Sequence, residues 1–308
     1  MPMIIGIDIG GSHISSAAVN KDTLEIIADT WFRGAVDSKA SKDVILKKWA
    51  EIINQTLSKI ESAETIGIAF SIPGPFQYES GIAMFEGNDK YESLYNVSIP
   101  LELGNFLDKK NVTFRFLNDA TSFGIGSAIN QNGEGVSQKV VALTLGTGFG
   151  ASFLNDVIPV VCGDNVPENG CLWDKAFQDS IADDYFSTRW FITKYEQYSG
   201  EKVNDGVKEI ACKNNEYSAR VFKEFAYNIS DFLFPYLTKF EADSLVLGGN
   251  IAKCHQLFLP KIAQIWKDKG LDISITILDN TEESSILGSA YMFNEVFWSK
   301  IKEELPNF

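Results

Sequence analysis

Long apolar runs, cysteine, histidine and positive charge are all scarce in this sequence, and each scarcity closes off a class of function. No apolar run reaches the ~18 residues that a membrane span needs, so no membrane role is expected. The first residues lack a basic stretch followed by an apolar core and a cleavage site, so no secretory leader is expected either. The four cysteines, Cys162, Cys171, Cys212 and Cys254, are widely scattered. They fit a reducing compartment better than a disulfide framework, which makes the cytoplasm the expected location. Lys and Arg number 27 against 41 Asp and Glu, a net charge of −14. Such a surface repels nucleic-acid phosphates, and a nucleic-acid partner is not expected.

What is present is an ordinary globular composition, 45% hydrophobic and 22% charged, over 308 residues, long enough for two lobes with a core each. The chain is organised around residues 3–19, MIIGIDIGGSHISSAAV. An apolar run through Ile4, Ile5 and Ile7 reads as a buried strand, followed by one carboxylate, Asp8, and then by Gly10, Gly11 and Ser12. Glycine at a turn lets backbone N–H groups approach a bound group closely, and a carboxylate at a strand end suits a divalent metal. Phosphate with magnesium is one reading of this stretch; a hairpin with an ordinary Gly-Gly turn is the other. Residues 140–154, VVALTLGTGFGASFL, repeat the plan around Gly146, Thr147 and Gly148, which suggests a duplicated architecture. Strand-type residues follow these glycines where a dinucleotide fingerprint would start a helix. A third pair, Gly248 and Gly249 before Asn250, follows the apolar run at 244–247.

Taken with DIGGS at 8–12, IPGP at 72–75, LNDA at 117–120, LGTGFG at 145–150, LVLGGN at 245–250 and SILGSAYMF at 285–293, the chain resembles the ROK family (repressors, open reading frames and kinases) of actin-like sugar kinases. The motifs fall in family order and cover nearly the whole chain. The resemblance implies an α/β protein with the two-lobed actin-like ATPase (ribonuclease H-like) fold, mixed β-sheets flanked by helices. Residues 1–118 with a C-terminal helix near 290–308 would form the first lobe, carrying a phosphate turn and a sugar loop. Residues 119–289 would form the second, with the other phosphate turn and the nucleoside site. The implied activity is ATP-dependent phosphorylation of a hexose or N-acylated amino sugar at the 6-hydroxyl, as in glucokinases. A non-catalytic sugar sensor and an ATPase of the actin or chaperone class are the alternatives. A homodimer is the assembly the family suggests. With no separate segment before Met3, a winged-helix DNA-reading module like that of the family's repressors is not expected.

The resemblance also implies roles. Asp119 would be the catalytic base, since transfer to a sugar hydroxyl needs an acceptor for its proton, and Asn118 and Asp119 together would grip the sugar. An Asn-Asp pair at a strand end that only caps the next helix remains the alternative. Asp8 would orient Mg2+ through water, while Gly10, Gly11, Ser12, Gly146, Thr147 and Gly148 cradle phosphates with a further hydroxyl from Thr144. Gly248, Gly249 and Asn250 would lie against the nucleoside. Tight turns and close strand packing account for each glycine taken singly. Because the net charge repels a triphosphate, such a site must rely on backbone dipoles and a metal ion. Glu168 matches the Glu of a family Glu-x-Gly-His segment that contacts sugar hydroxyls, but Cys171 stands where the His would be. No cysteine-rich zinc loop follows, and Cys162 and Cys171 alone cannot satisfy a structural zinc, so none is expected. Asn88 is a candidate sugar contact in the first lobe, an exposed loop residue being the plainer reading.

Hydrophobic periodicity predicts a third strand over residues 24–32, a helix from Ser41 to about Ile60 and a strand over 65–72. Residues 76–98 read as a long aperiodic functional loop and 156–184 as irregular. Helices are predicted over 184–198, 203–212, 216–240, 251–267 and 284–302.

Overall fold

The computed structural model describes residues 1–61, 64–87, 90–131 and 139–305. Its contacts divide the chain into Met1–Asn132 with Glu282–Phe308, and Gly133–Thr281.

In the first unit, β1 (Met3–Ile9) is buried at every residue. It pairs antiparallel with β2 (His13–Asn20) on one side and parallel with β4 (Thr65–Ile72) on the other, and, covered on both faces, it is a near-continuous apolar run broken by Asp8. The sheet runs β3-β2-β1-β4-β8, with β3 at Phe32–Ala35 and β8 at Thr113–Asn118. The predicted third strand is thus displaced. Residues 24–32 hold Leu24 at φ 57, one bridge from Ile26 to Val19 and a 3-10 turn at Ala28–Thr30, and pairing resumes only at Phe32. Helix α1 (Lys42–Leu57) buries Ile45, Trp49, Ile52 and Ile53 along one stripe. Residues 76–98 are no open loop: β5 (Phe76–Gln77), β6 (Ile82–Ala83) and β7 (Val97–Ser98) form a small sheet. Phe76, Tyr78, Phe85 and Tyr91 of this segment are buried. After α2 (Ile99–Gly104), β8 leads directly into α3 (Asp119–Gln131).

The second unit repeats the plan. Its sheet runs β11-β10-β9-β14-β15, from β9 (Lys139–Leu145), β10 (Phe149–Asn155), β11 (Ile158–Pro159), β14 (Ser244–Gly248) and β15 (Ser274–Ile277). Between β11 and β14 lie the short pair β12 (Ala176–Phe177) and β13 (Ser180–Ile181), then α4 (Ala182–Phe186), α5 (Thr188–Ser199), α6 (Val207–Lys213) and α7 (Glu216–Phe240). Asn215 and Ser218 cap α7 reciprocally, Ser218 N–H donating to Asn215 Oδ1 at 2.9 Å. The predicted helix at 251–267 is split into a 3-10 segment, Ala252–Leu257, and α8 (Leu259–Asp268). An aromatic core stands behind the second glycine turn, with Phe149 5.2 Å from Phe186 and 5.9 Å from Phe232.

The predicted last helix is two, α9 (Thr281–Tyr291) and α10 (Glu295–Ile301), broken where Asn294 caps the second. Helix α9 seals the first unit against α3. A Cβ on Gly126 would stand 1.8 Å from the Ser284 carbonyl oxygen, and one on Gly288 1.8 Å from that of Ser122, so the two backbones touch. The contact boundary follows this seam, placing α3 and most of α9 in the first unit, where the sequence-based division put both in the second. Among the described residues no helix is long and apolar enough to cross a membrane.

Candidate active site

Asp8, the next-to-last residue of β1, has 9% of its surface exposed and lies opposite Ser15 on β2 and Ser71 on β4. The Ser71 hydroxyl donates to its Oδ1 at 2.9 Å. Burial pushes the Asp8 carboxyl up to about 7 against that hydrogen bond, and the neighbouring charges of Asp119 and Glu282 push the same way. Asp119, first residue of α3, takes the Ala120 N–H on Oδ1 at 2.9 Å. Burial raises its carboxyl too, while backbone hydrogen bonding and the charge of Lys90 hold it lower. A buried carboxylate, Asp8, and a half-buried one, Asp119, thus share one field at the ends of β1 and β8.

Asn118 shows that the capping alternative is partly right. Its Oδ1 accepts from the N–H of Ala120 at 3.1 Å and of Thr121 at 3.2 Å, and its Nδ2 donates to the Tyr78 hydroxyl at 3.2 Å. Asn118 caps the helix, and Asp119 is presented by that cap.

The turn at residues 10–12 is closed by Gly10 N–H donating to His13 O at 2.9 Å. Side chains crowd it from outside. A Cβ on Gly10 would stand 2.5 Å from the His13 ring, and the Tyr91 hydroxyl donates to Gly10 O at 2.7 Å. Ser12 is exposed. Behind the turn, Glu282 of α9 takes the Ser15 hydroxyl at 2.5 Å and lies 3.2 Å from His13 Nε2 and 3.0 Å from Arg33. Against the upward push of burial, hydrogen bonds from His13 and Ser15 and the charges of His13 and Arg33 pull Glu282 down to about 2.

In the second unit Thr144, Gly146, Thr147, Gly148, Gly248 and Gly249 come together, because β14 lies parallel to β9 and pairs Gly248 with Thr144. Gly249, at φ +91, passes so close to Leu145 that a Cβ would meet its carbonyl oxygen at 2.4 Å. The Thr281 hydroxyl accepts the Gly249 N–H at 2.9 Å. Gly146 O receives both the N–H and the hydroxyl of Thr188, each at 2.8 Å. Thr147, Gly148 and Asn250 are exposed. Glu168 is exposed in a 3-10 turn, Glu168–Gly170, and no hydrogen bond among the described residues ties its carboxylate to either glycine turn. Asn88 lies outside the described residues.

Sequence reasoning missed two charged groups. Asp183 of α4 accepts the Phe149 N–H on Oδ1 at 2.7 Å and is paired with Arg189 at 2.8 Å, so a carboxylate orders the second turn from a segment read as irregular. Lys90 reaches the first turn from residues read as a loop, its Nζ 2.9 Å from where a Cβ on Gly11 would be. Neither has a local sequence signal. Among the described residues no group of three or more His, Cys, Asp or Glu side chains is set to hold a metal. Asp8 and Ser71 still offer the hard oxygens magnesium takes when substrate phosphates complete its shell, and a cation would balance carboxylates that burial disfavours.

Two five-stranded sheets of one topology, each with a glycine turn between its first two strands, define the actin-like ATPase class. Within that class the chain belongs to the ROK family, whose sequence profile matches residues 4–295. An N-acetyl-D-glucosamine kinase of Vibrio parahaemolyticus is 25% identical over 292 residues, 84% of this chain and 88% of that one. A ROK family glucokinase of Streptomyces griseus, solved with glucose and AMPPNP, superposes with a TM-score of 0.71 at 16% identity, covering 94% of this chain and 98% of its own. A ROK family protein of Streptococcus pneumoniae, solved with sucrose, gives 0.72 at 17% identity over 98% and 99%.

Proposed function

We propose that the chain is a sugar kinase that transfers the γ-phosphoryl group of ATP to the 6-hydroxyl of a hexose or an N-acylated amino sugar. The observation that carries this reading is the pair of carboxylates, Asp8 buried and Asp119 half-buried, in one field beside the turn at residues 10–12. A hydrolase acting on water has no need of a second carboxylate held ready for a sugar hydroxyl, whereas a kinase does. The Vibrio relative, named for an amino-sugar substrate, and the glucose-bound Streptomyces structure support the substrate class.

In this reading Asp119 takes the proton of the attacked hydroxyl, and its raised carboxyl suits a base working near neutral pH. Asn118, whose oxygen is used by the helix cap, offers a sugar only its remaining amide N–H. Glu168 supplies a charged acceptor for ring hydroxyls. Gly10, Gly11, Ser12, Thr144, Gly146, Thr147 and Gly148 give backbone N–H groups and hydroxyls to phosphates, and Gly248, Gly249 and Asn250 take the nucleoside. Magnesium, held on the protein side by Asp8, would supply charge neutralisation on the phosphates. A coupled ADP-release assay over a panel of hexoses and N-acyl hexosamines tests the reading. Turnover dependent on one sugar supports it. Sugar binding without ADP release would mark a sensor, and ADP release without any sugar an ATPase of another class.

A further inference from the structure

The segment between β6 and β7 of the small sheet carries a cation to the first glycine turn. The Lys90 ammonium lies 2.9 Å from the place of a Cβ on Gly11, with Cε at 3.1 Å and Cδ at 3.3 Å. Its stem therefore runs across the face of Gly11 that a side chain would otherwise cover. Its charge reaches Asp119, whose carboxyl it helps hold down. The next residue fixes this arrangement. Tyr91 sits at φ 57, a left-handed conformation that is strained for a bulky residue and persists only where the surroundings impose it. They do so here. The Tyr91 hydroxyl donates to Gly10 O at 2.7 Å and its N–H to Ser38 O at 2.8 Å, and its buried ring lies 5.5 Å from Trp49 and 5.7 Å from Phe85. A buried aromatic anchor ties the backbone to the turn, and the lysine beside it arches over the same turn.

We propose that Lys90 is a catalytic residue, its ammonium binding the terminal phosphoryl group as it passes from the nucleotide to the sugar hydroxyl. The proposal rests on the kinase reading for the acceptor. In a chain of net charge −14 a triphosphate gains nothing from the overall field, and a lysine over Gly11 supplies positive charge where the transferred group must pass, between turn and base. The sugar oxygen forms its bond to the γ-phosphorus, its proton goes to Asp119, and the bond to the bridging oxygen breaks with its electron pair leaving on ADP. Lys90 stabilises charge on the equatorial oxygens.

The test uses the full chain as wild type, Lys90→Ala and Lys90→Arg. Calorimetry with AMPPNP and with ADP, both with magnesium and without sugar, reads the terminal phosphate directly. Lys90→Ala is expected to lose about tenfold in AMPPNP affinity and less than about twofold in ADP affinity, with Lys90→Arg close to wild type. With the sugar that the panel identifies, kcat of Lys90→Ala falls by about 10²–10³ at unchanged melting temperature and a sugar KM within about threefold. Equal losses toward both nucleotides, or none, overturn the proposal. So does a change confined to the acid limb of the pH–rate profile, which would make Lys90 a counter-ion of Asp119 alone. If wild type phosphorylates no sugar, the kinase reading falls, and the calorimetric comparison decides the role of Lys90 by itself.

Discussion

Asp8 and Thr144 hold the same place in two copies of one plan, and the contrast between them shows how the copies have divided the work. Each is the next-to-last residue of the central strand before a glycine turn. Each faces a small residue on the antiparallel neighbour, Ser15 or Gly150, and another on the parallel one, Ser71 or Gly248. In the first unit that position is a buried carboxylate beside a second one, and the turn is crowded by His13, Tyr91 and Lys90. In the second it is a hydroxyl, and a Cβ on Gly146 would touch nothing within 4 Å. The two sheets share strand order, while the first turn is crowded by side chains and the second, ordered by Asp183, leaves Gly146 facing open space. In the proposed kinase, reactivity would belong to the crowded turn and accommodation to the open one.

The comparison breaks most visibly at Asp119. Asp119→Asn keeps the size and much of the hydrogen bonding but cannot accept a proton. It should cut sugar-dependent turnover by about 10³ or more while leaving calorimetric sugar affinity within roughly tenfold. Full activity in this variant would remove Asp119 from the mechanism.

Asp8→Asn should separate stability from activity. The Asp8 carboxyl moves from 3.8 to about 7 on folding, so its contribution to stability is complete below pH 4 and is lost as pH rises through 7. An amide escapes that loss. Without metal, the variant should be more stable than wild type at pH 8, by about 4 kcal/mol at most, and equal to it near pH 4. Denaturant unfolding at the two pH values checks this, and a constant difference would refute burial as the cause.

Two alanines sharpen the contrast within the second unit. Gly249→Ala forces a Cβ against the backbone of Leu145 at a left-handed φ and should cost about 3 kcal/mol of stability. Gly146→Ala meets open space, so its melting temperature should hold while AMPPNP affinity falls by about tenfold. The smallest effect is expected at Glu168, which is exposed. Glu168→Ala should weaken sugar binding by about tenfold or somewhat more, with ATP affinity and melting temperature unchanged. Identical sugar affinities would withdraw the residue from the site.

The parts of this molecule legible from sequence are those whose signal is local and repeated. Strand β4 and helix α7 begin and end where apolar periodicity and flanking residues place them, and the glycine turns stand out because a strand stops at each. Residues 76–98 were opaque because strands of two residues leave no periodicity, and their burial comes from aromatics spaced irregularly along the chain. Lys90 and Asp183 were invisible for a different reason. Their partners, Gly11 and Phe149, lie far away in sequence, and a lone charge in an aperiodic segment looks the same whether it faces solvent or a turn. Asn118 was legible in position but not in use, since a cap and a ligand demand the same residue type at the same strand end.

The backbone-to-backbone seam between α3 and α9 orders events in time. Everything from Gly133 to Thr281 is one continuous stretch, able to find its native contacts as soon as it has been made. The first unit cannot. Strands β1 and β2 are made well before Glu282, which binds Ser15, faces His13 and Arg33 and arrives some 270 residues later, together with Gly288, which lets α9 lie against α3. The unit that holds both carboxylates is therefore interrupted by the other. A nascent chain carries the whole of the second unit before Glu282 can reach the strands behind the turn at residues 10–12.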